Sequence, residues 1–132
     1  MLRRALEGYE RLLGSDHPDT LTSVNNLGAL LKQLGQLEEA EIMYRRALEG
    51  RERLLGSDHP STLNSAWSLA ALLKTQNNYD EAESLCRRAF NGFLAAFGKD
   101  HSHTKGSFSC FLHILRAQGK DGEANQLEQQ YK

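Results

Sequence analysis

The sequence predicts an all-α fold, a right-handed α-solenoid of about seven helices packed as antiparallel pairs. The prediction depends on one short sequence motif, ERLLGSDHP, which occurs at residues 10–18 and again at 52–60. A diverged third copy, LAAFGKDHS, follows at 94–102, so the copies are 42 positions apart. A fixed period of roughly 20–50 residues is typical of supersecondary units stacked along one axis.

Each unit contains two predicted helices. In the first complete unit, apolar residues recur at the spacing of one helical face, at Val24, Leu27, Leu31 and Leu34. A break at 34–36 precedes a second helix of about 28 Å, whose apolar residues are Ala40, Met43, Tyr44, Ala47 and Leu48. The predicted helices cover residues 2–13, 18–34, 37–55, 60–76, 79–97, 102–118 and 121–131.

The repeated text GSDHP is predicted to form the corner between units. Gly56 follows the long helix, where a positive φ costs least for glycine. Pro60 suits the first turn of the next helix, because its missing N–H is not needed there. Asp58 is expected to accept an N–H from that helix start. The same reasoning applies one period earlier, to Gly14, Asp16 and Pro18.

Small residues are predicted where helices come closest. Ala40 and Ala82 lie where the two helices of a repeat cross, so a larger side chain has no room there. Gly8, Gly50 and Gly92 lie inside the long helices, where each costs up to about 1 kcal/mol relative to alanine. A close approach by the neighbouring repeat would explain them.

The chain is predicted to form one array. Residues 1–17 form the second helix of a truncated repeat, 18–59 and 60–101 are full repeats, and 102–132 is a degenerate repeat. The polar C-terminal text NQLEQQYK suits a cap, because terminal repeats need a polar outer face. The first helix lacks a partner, so we expect it to expose an apolar stripe and to support a homodimer. The stripe consists of Leu2, Leu6, Tyr9 and Leu13.

Composition and motifs exclude several classes of function. The net charge of -1 gives no global field for nucleic acid or an anionic membrane. No apolar run approaches a membrane span, and the first residues lack the apolar centre of a signal peptide. Cys86 and Cys110 are not spaced as a metal or redox pair, which favours a reduced, cytoplasmic chain.

No motif points to catalysis or to a bound group. We find no phosphate-binding loop, nucleophile elbow or metalloprotease motif. His17, His59 and His101 recur once per corner, which places them too far apart to share an ion. We therefore predict no enzymatic activity, no cofactor and no metal.

The alternation of large and small residues resembles the tetratricopeptide repeat. In the first full copy the matching residues are Leu27, Gly28, Leu31, Ala40, Tyr44 and Ala47. In the second copy they are Leu69, Ala70, Leu73, Ala82, Cys86 and Ala89. The third copy has Phe111, Leu112, Leu115 and Ala124, and departs from the pattern at Glu128 and Tyr131. With its 42-residue period and the text NNLGALL, the chain is similar to the repeats of kinesin light chains and of kinesin-light-chain-like arrays attached to signalling proteins.

The resemblance implies a concave groove, lined by the first helix of each repeat, that binds partner peptides. The residues on that face are Asn25, Asn26, Ala29, Lys32, Gln33, Asn64, Trp67, Ser68, Ala71, Lys74, Ser109, His113 and Arg116. Lys32, Lys74 and Arg116 share one repeat position, which predicts a row of cations for an acidic peptide. Trp67 is expected to supply the apolar contact.

The resemblance does not carry over the peptide specificity. Kinesin light chains use an Asn pair to hold cargo peptides in which acidic residues flank a Trp. Here the pair occurs only as Asn25 and Asn26, with Trp67–Ser68 and Ser109–Cys110 in the later copies. The sequence thus predicts a protein-interaction module for an acidic peptide with an apolar anchor, without nucleic-acid or membrane partners. Two alternatives stay open, a structural spacer or self-association segment of a larger array, and the sensor arm of a signalling ATPase.

Overall fold

The computed structural model describes residues 3–4, 7–8, 11 and 17–131, and its residues 17–131 contain six helices and no strand. The helices are α1 (Pro18–Gln33), α2 (Leu37–Leu55), α3 (Pro60–Thr75), α4 (Tyr79–Phe97), α5 (Ser102–Ala117) and α6 (Asp121–Gln130). The all-α prediction is confirmed, and these helices end within one residue of the predicted bounds. Of the predicted helix 2–13, the described residues Arg3, Arg4, Glu7, Gly8 and Arg11 are helical. The apolar stripe of Leu2, Leu6, Tyr9 and Leu13 lies outside the described residues.

The helices stack in two layers. Within repeats, α1 packs on α2, α3 on α4 and α5 on α6. Between repeats, α2 packs on α3 and α4 on α5, while α1 also contacts α3 and α3 contacts α5. The first helices of the three repeats therefore lie side by side, and their outer surface is called the groove face below.

The small residues allow the helices to pack closely, as predicted, although the neighbour is not the expected one. A Cβ on Gly50 would lie 2.6 Å from a methyl of Leu21, and one on Gly92 would lie 2.4 Å from a methyl of Leu63. Both leucines are on the first helix of the same repeat, not on the neighbouring repeat. Among the residues that the structure describes, no atom lies within 4 Å of a Cβ built on Gly8.

The corners between repeats are capped by histidine, which corrects the prediction for Asp58. The Nδ1 atom of His59 accepts the backbone N–H of Ser61 at 3.1 Å, and His59 is the N-cap of α3. His17 and His101 cap α1 and α5 in the same way, each at 3.1 Å. Asp58 is exposed and lies one residue too early to cap, because the extended backbone of His59 places the His side chain at the helix start. Gly56 has φ 90°, as the corner requires.

An ion-pair ladder joins the second helices. Arg45 makes two hydrogen bonds to Glu81, of 2.7 and 2.9 Å, and a third of 2.9 Å to Glu41 on its own helix. Arg87 contacts Glu123 at 3.2 Å, and Arg3 pairs with Glu39 at the same sequence separation. The mixed charges of these helices thus tie each repeat to the next. No helix within the described residues is long and apolar enough to cross a membrane.

Candidate functional site

The structure places the thirteen predicted site residues on α1, α3 and α5, and they differ in exposure. Those that are exposed are Asn26, Ala29, Gln33, Ser109, His113 and Arg116. Those that are half-buried are Asn25, Lys32, Asn64, Trp67, Ser68, Ala71 and Lys74. The half-buried residues are mostly those of α3, because this helix has a neighbour on both sides.

A shallow hollow between α1 and α3 brings five of the predicted residues together. Its volume is about 290 Å³, and it is lined by Lys32, Asn64, Trp67, Ser68, Ala71 and Tyr44. Tyr44 was not predicted to belong to the site. It reaches the hollow from α2 because Gly28 leaves room for its ring, which a Cβ there would approach to 2.9 Å. Burial raises the pKa of the Tyr44 hydroxyl.

Trp67 packs between repeats as well as lining this hollow. Its ring centroid lies 6.2 Å from those of Phe93 and His103, in edge-on geometry. A Cβ on Gly106 would lie only 2.6 Å from the indole, so the glycine on α5 makes room for Trp67. Part of the indole surface therefore packs in the contact between α3, α4 and α5.

Asn25 takes part in a polar network beneath the groove face. Its side-chain oxygen accepts a hydrogen bond from the Ser65 hydroxyl at 3.3 Å. The same hydroxyl accepts a hydrogen bond from the Arg51 guanidinium at 2.8 Å. Arg51 is 7 % exposed, and burial lowers its pKa. The guanidinium also donates to the Ser61 carbonyl and to Thr22. Asn25 therefore helps to satisfy a buried cation that joins α1, α2 and α3.

A larger hollow, of about 850 Å³, lies beside the groove face at its α5 end and extends to α6. Three predicted residues line it: Ser109, His113 and Arg116. Its floor is apolar and was not predicted, and consists of Phe90, Phe108, Leu112 and Tyr131. The rings pack closely, with centroids 4.8 Å apart for Phe90–Phe108, 5.3 Å for Phe90–Tyr131 and 5.8 Å for Phe108–Tyr131.

Phe108 could have been found from the repeat. It occupies the position of Val24 and Ala66 in the earlier copies, and both of these are fully buried. Phe108 is larger than either and remains half-buried. When the three repeat copies are aligned, a large aromatic residue replaces a small buried one at this position. That replacement indicates a partly exposed ring.

Charged residues of both signs line this larger hollow, with cations in excess. Lys99, Lys105 and Arg116 line it together with the carboxylates of Asp100 and Glu128. Arg116 pairs with Glu128 and donates to the side-chain oxygen of Asn125 at 3.3 Å. Arg116 thus differs from Lys32 and Lys74, neither of which forms an ion pair within the part of the chain that the structure describes.

The tetratricopeptide repeat model matches this sequence over residues 1–53 and 23–95. The chain belongs to the tetratricopeptide repeat family. Such repeats are generally protein-interaction modules and typically act as scaffolds rather than enzymes. No curated protein sequence matches the chain.

Solved structures with this fold include proteins with kinesin-light-chain-like repeats, so the resemblance predicted from the sequence is confirmed. One comes from Podosopora anserina and is described as a kinesin light chain with nearly identical TPR-like repeats. It is 25 % identical to this chain and has a TM-score of 0.92. The match covers 98 % of this chain and 62 % of the Podosopora anserina chain. A point variant of it has a TM-score of 0.93 at 25 % identity, over 98 % of this chain and 61 % of its own. BtubC (BKLC) from P. vanneervenii is 24 % identical, with a TM-score of 0.83 over 95 % and 50 % of the two chains, and shows the fold alone.

Proposed function

We propose that this tetratricopeptide array binds a short acidic peptide segment with an apolar anchor on its groove face. The observation that carries the proposal is the hollow of about 850 Å³ at α5 and α6, which combines an aromatic floor with a charged rim in which three cations outnumber two carboxylates. Peptide-binding sites commonly unite a buried apolar contact with a few polar groups that fix orientation. Both elements are present here within one concavity.

The floor supplies the apolar contact. Phe108 and Tyr131 are half-buried, so each has ring surface that a ligand side chain can cover. Trp67, the anchor predicted from the sequence, packs edge-on against Phe93 and His103 and lines the smaller hollow, not the larger one. We therefore assign the main anchor contact to Phe108 and keep Trp67 as a secondary contact in the smaller hollow.

The charges supply the preference for acids. Three cations and two carboxylates line the larger hollow, and Lys32 and Lys74 continue the positive charge along the groove face. A ligand carboxylate would gain charge-assisted hydrogen bonds from these groups. Exposed charges are screened by salt, so binding is expected to weaken as the salt concentration rises. A purely apolar groove would bind as well or better at high salt.

The experiment is a fluorescence anisotropy titration with two labelled peptide pools. Both pools contain one aromatic residue per peptide, and the flanking residues are acidic in one and basic in the other. The parent chain is expected to bind the acidic pool with micromolar affinity. The double variant Lys74→Glu with Arg116→Glu should bind it at least about tenfold more weakly, because one lost charged hydrogen bond costs roughly 1.5–3 kcal/mol.

A matched charge reversal controls for net charge. Arg53→Glu with Arg4→Glu reverses two exposed charges that line neither hollow, so the net charge changes as much as in the test variant, and acidic-peptide binding should stay within about twofold of the parent. The melting temperatures of both variants are measured alongside. If the parent binds neither pool, or the double variant binds acidic peptides as tightly as the parent, Lys74 and Arg116 do not contribute to peptide binding. The spacer alternative is then favoured.

The remaining predictions about partners stay predictions. A homodimer through residues 1–13 is expected to raise the mass measured by light scattering, and deletion of those residues should then lower the mass to that of a monomer. A monomer at high concentration would contradict it.

The other expectations rest on the sequence alone. They are a cytoplasmic location, the absence of enzymatic activity, cofactor and metal, and the absence of nucleic-acid and membrane partners. The sensor-arm alternative also stays open.

A further inference from the structure

The smaller hollow between α1 and α3 is lined by four polar side chains that have no partner in the protein. Among the described residues, none of the four has a side-chain hydrogen bond or an ion pair. Three of them are half-buried and one is buried. The four residues are Lys32, Tyr44, Asn64 and Ser68, and Trp67 and Ala71 complete the lining. Buried polar groups are normally hydrogen-bonded, so unpaired groups around one hollow indicate a place for a polar ligand.

Tyr44 is the most deeply buried of the four. It is only 4 % exposed, and its ring packs where Gly28 leaves room for it. Its hydroxyl is not sealed off, however. In the described part of the chain, the polar side-chain atoms that are completely buried without a partner belong to Thr62 and Thr104, and the Tyr44 hydroxyl is not among them. Leaving a buried hydroxyl without a partner costs free energy, so a ligand that accepts its hydrogen bond would recover that cost.

The charge of the smaller hollow differs from that of the larger one. Among the described residues, Lys32 is the one charged side chain that lines the smaller hollow, whereas Asp100 and Glu128 line the larger hollow beside its cations. The ammonium, the two hydroxyls and the amide of the smaller hollow are all hydrogen-bond donors, and a carboxylate accepts through two oxygens. Burial raises the pKa of the Tyr44 hydroxyl, which keeps its proton available for donation. A carboxylate is therefore the ligand group that fits these donors.

We propose that the smaller hollow is the carboxylate subsite for the peptide, where an acidic side chain of the ligand pairs with Lys32 and accepts a hydrogen bond from the Tyr44 hydroxyl. The inference rests on the proposed function, in which the aromatic residue of the same peptide covers Phe108 in the larger hollow. It makes Tyr44, a residue of the second helix α2, a determinant of the preference for acidic over neutral peptides.

The separation of the two hollows sets the spacing of the ligand residues. The smaller hollow lies between α1 and α3, and the larger one lies at α5 and α6. Neighbouring helices pack roughly 8–10 Å apart, so the hollows are one to two such spacings apart. An extended peptide advances about 3.3 Å per residue. The acidic residue is thus expected about three to six residues from the aromatic one.

The test is a double-mutant cycle on peptide binding. Labelled peptides carry one aromatic residue and one glutamate at the expected separations, and each has a twin with glutamine in place of the glutamate. Fluorescence anisotropy measures the binding of the tightest peptide and its twin. The parent is expected to prefer the glutamate peptide by roughly tenfold, because its twin loses a charged hydrogen bond. Tyr44→Phe should reduce this preference to about threefold or less, and its affinity for the glutamine twin should be unchanged.

Tyr79→Phe is the matched control. The Tyr79 hydroxyl donates to Asn77 at 2.9 Å, and Tyr79 lines neither hollow, so this variant should keep the full preference of the parent. Lys32→Met should also reduce the preference. Because Lys32 is half-buried at the groove face, this second variant tests the subsite even if Tyr44→Phe does not fold. Melting temperatures show whether each variant is folded.

The outcomes separate this inference from the proposed function. If the parent binds no member of any peptide pair at millimolar concentration, the proposed function is wrong, and the carboxylate subsite with it. If the parent binds glutamate and glutamine twins equally, or if Tyr44→Phe and Lys32→Met both keep the full preference, only the assignment of the smaller hollow is wrong.

Discussion

Ala82 shows at the scale of one residue how tightly the repeat is packed. Its side chain is fully buried on α4, the helix that pairs with α3 in the central repeat. Overpacking a filled core costs roughly 1–3 kcal/mol. The register of the repeat predicted an alanine at this crossing, and the burial agrees with it.

Ala82→Leu is therefore predicted to lower the melting temperature by several degrees, since one kcal/mol corresponds to roughly 2–8 °C for domains near this size. The measurement is thermal unfolding followed by circular dichroism. Ala96→Leu is the matched control, because Ala96 is exposed on the same helix. Equal melting temperatures of Ala82→Leu and the parent would show that the register of the repeat is wrong.

Residues whose role depends on a distant neighbour were the ones that sequence reasoning missed. Val24 and Leu27 were predicted as core from spacing alone, and both are buried. Tyr44 reaches the smaller hollow, however, only because Gly28 lies opposite its ring. Periodicity fixes the face on which a residue lies, but not the residue that it meets on another repeat.

At the scale of elements, the start of each first helix depends on a histidine cap. His59 accepts the N–H of Ser61 through Nδ1, which satisfies one of the backbone groups left unpaired at a helix start. A proline at the first position and glycine at the previous helix end complete the corner. The sequence predicted where this corner lies and assigned its cap to the wrong side chain.

His59→Ala is predicted to destabilise the chain by about 0.5–2 kcal/mol, the usual cost of removing an N-cap. His59→Asn, which keeps a short side-chain acceptor, should retain most of that stability. Urea denaturation of the two variants and the parent measures the difference. If the alanine and asparagine variants unfold at the same urea concentration, the hydrogen bond of His59 does not stabilise α3.

Glu83 links the elements of the second and third repeats. Its carboxylate accepts from Lys120 at 2.8 Å, from Gln118 at 2.8 Å and from Arg87 at 3.0 Å. Burial alone would raise the pKa of Glu83, but these hydrogen bonds outweigh burial and bring it to about 2. A lowered pKa stabilises the fold above the unfolded-state value of 4.5, and the contribution is lost as pH falls through about 2.

Glu83→Gln is accordingly predicted to be less stable than the parent at pH 7, and the difference should shrink between pH 4.5 and pH 2. Melting temperatures of both proteins across this range measure it. Glu38→Gln, at an exposed residue of α2, serves as the control and should follow the parent throughout. A constant difference between Glu83→Gln and the parent at every pH would show that the Glu83 charge does not stabilise the contact between the repeats.

At the scale of the whole molecule, the repeat determines the fold and the helices on which the proposed site lies. The 42-residue period predicted the helices and placed the site residues on α1, α3 and α5. It did not predict the larger hollow, since this depends on Phe108 and Tyr131 lying beside the short helix α6, where the third copy departs from the others. The apolar part of the proposed site thus arises from a departure from the repeat, and the cations arise from the repeat itself.

The most direct test of acidic-peptide binding on the groove face is a nitrogen-15 nuclear magnetic resonance titration of the chain with an acidic peptide that contains one aromatic residue. The account predicts that amide shifts change first around Phe108, Ser109, His113 and Arg116, extend to Lys74, and diminish when salt is added. Phe108→Ala should reduce these changes without altering the helix content. Shifts confined to the second helices α2 and α4, or no shifts at millimolar peptide, would contradict it.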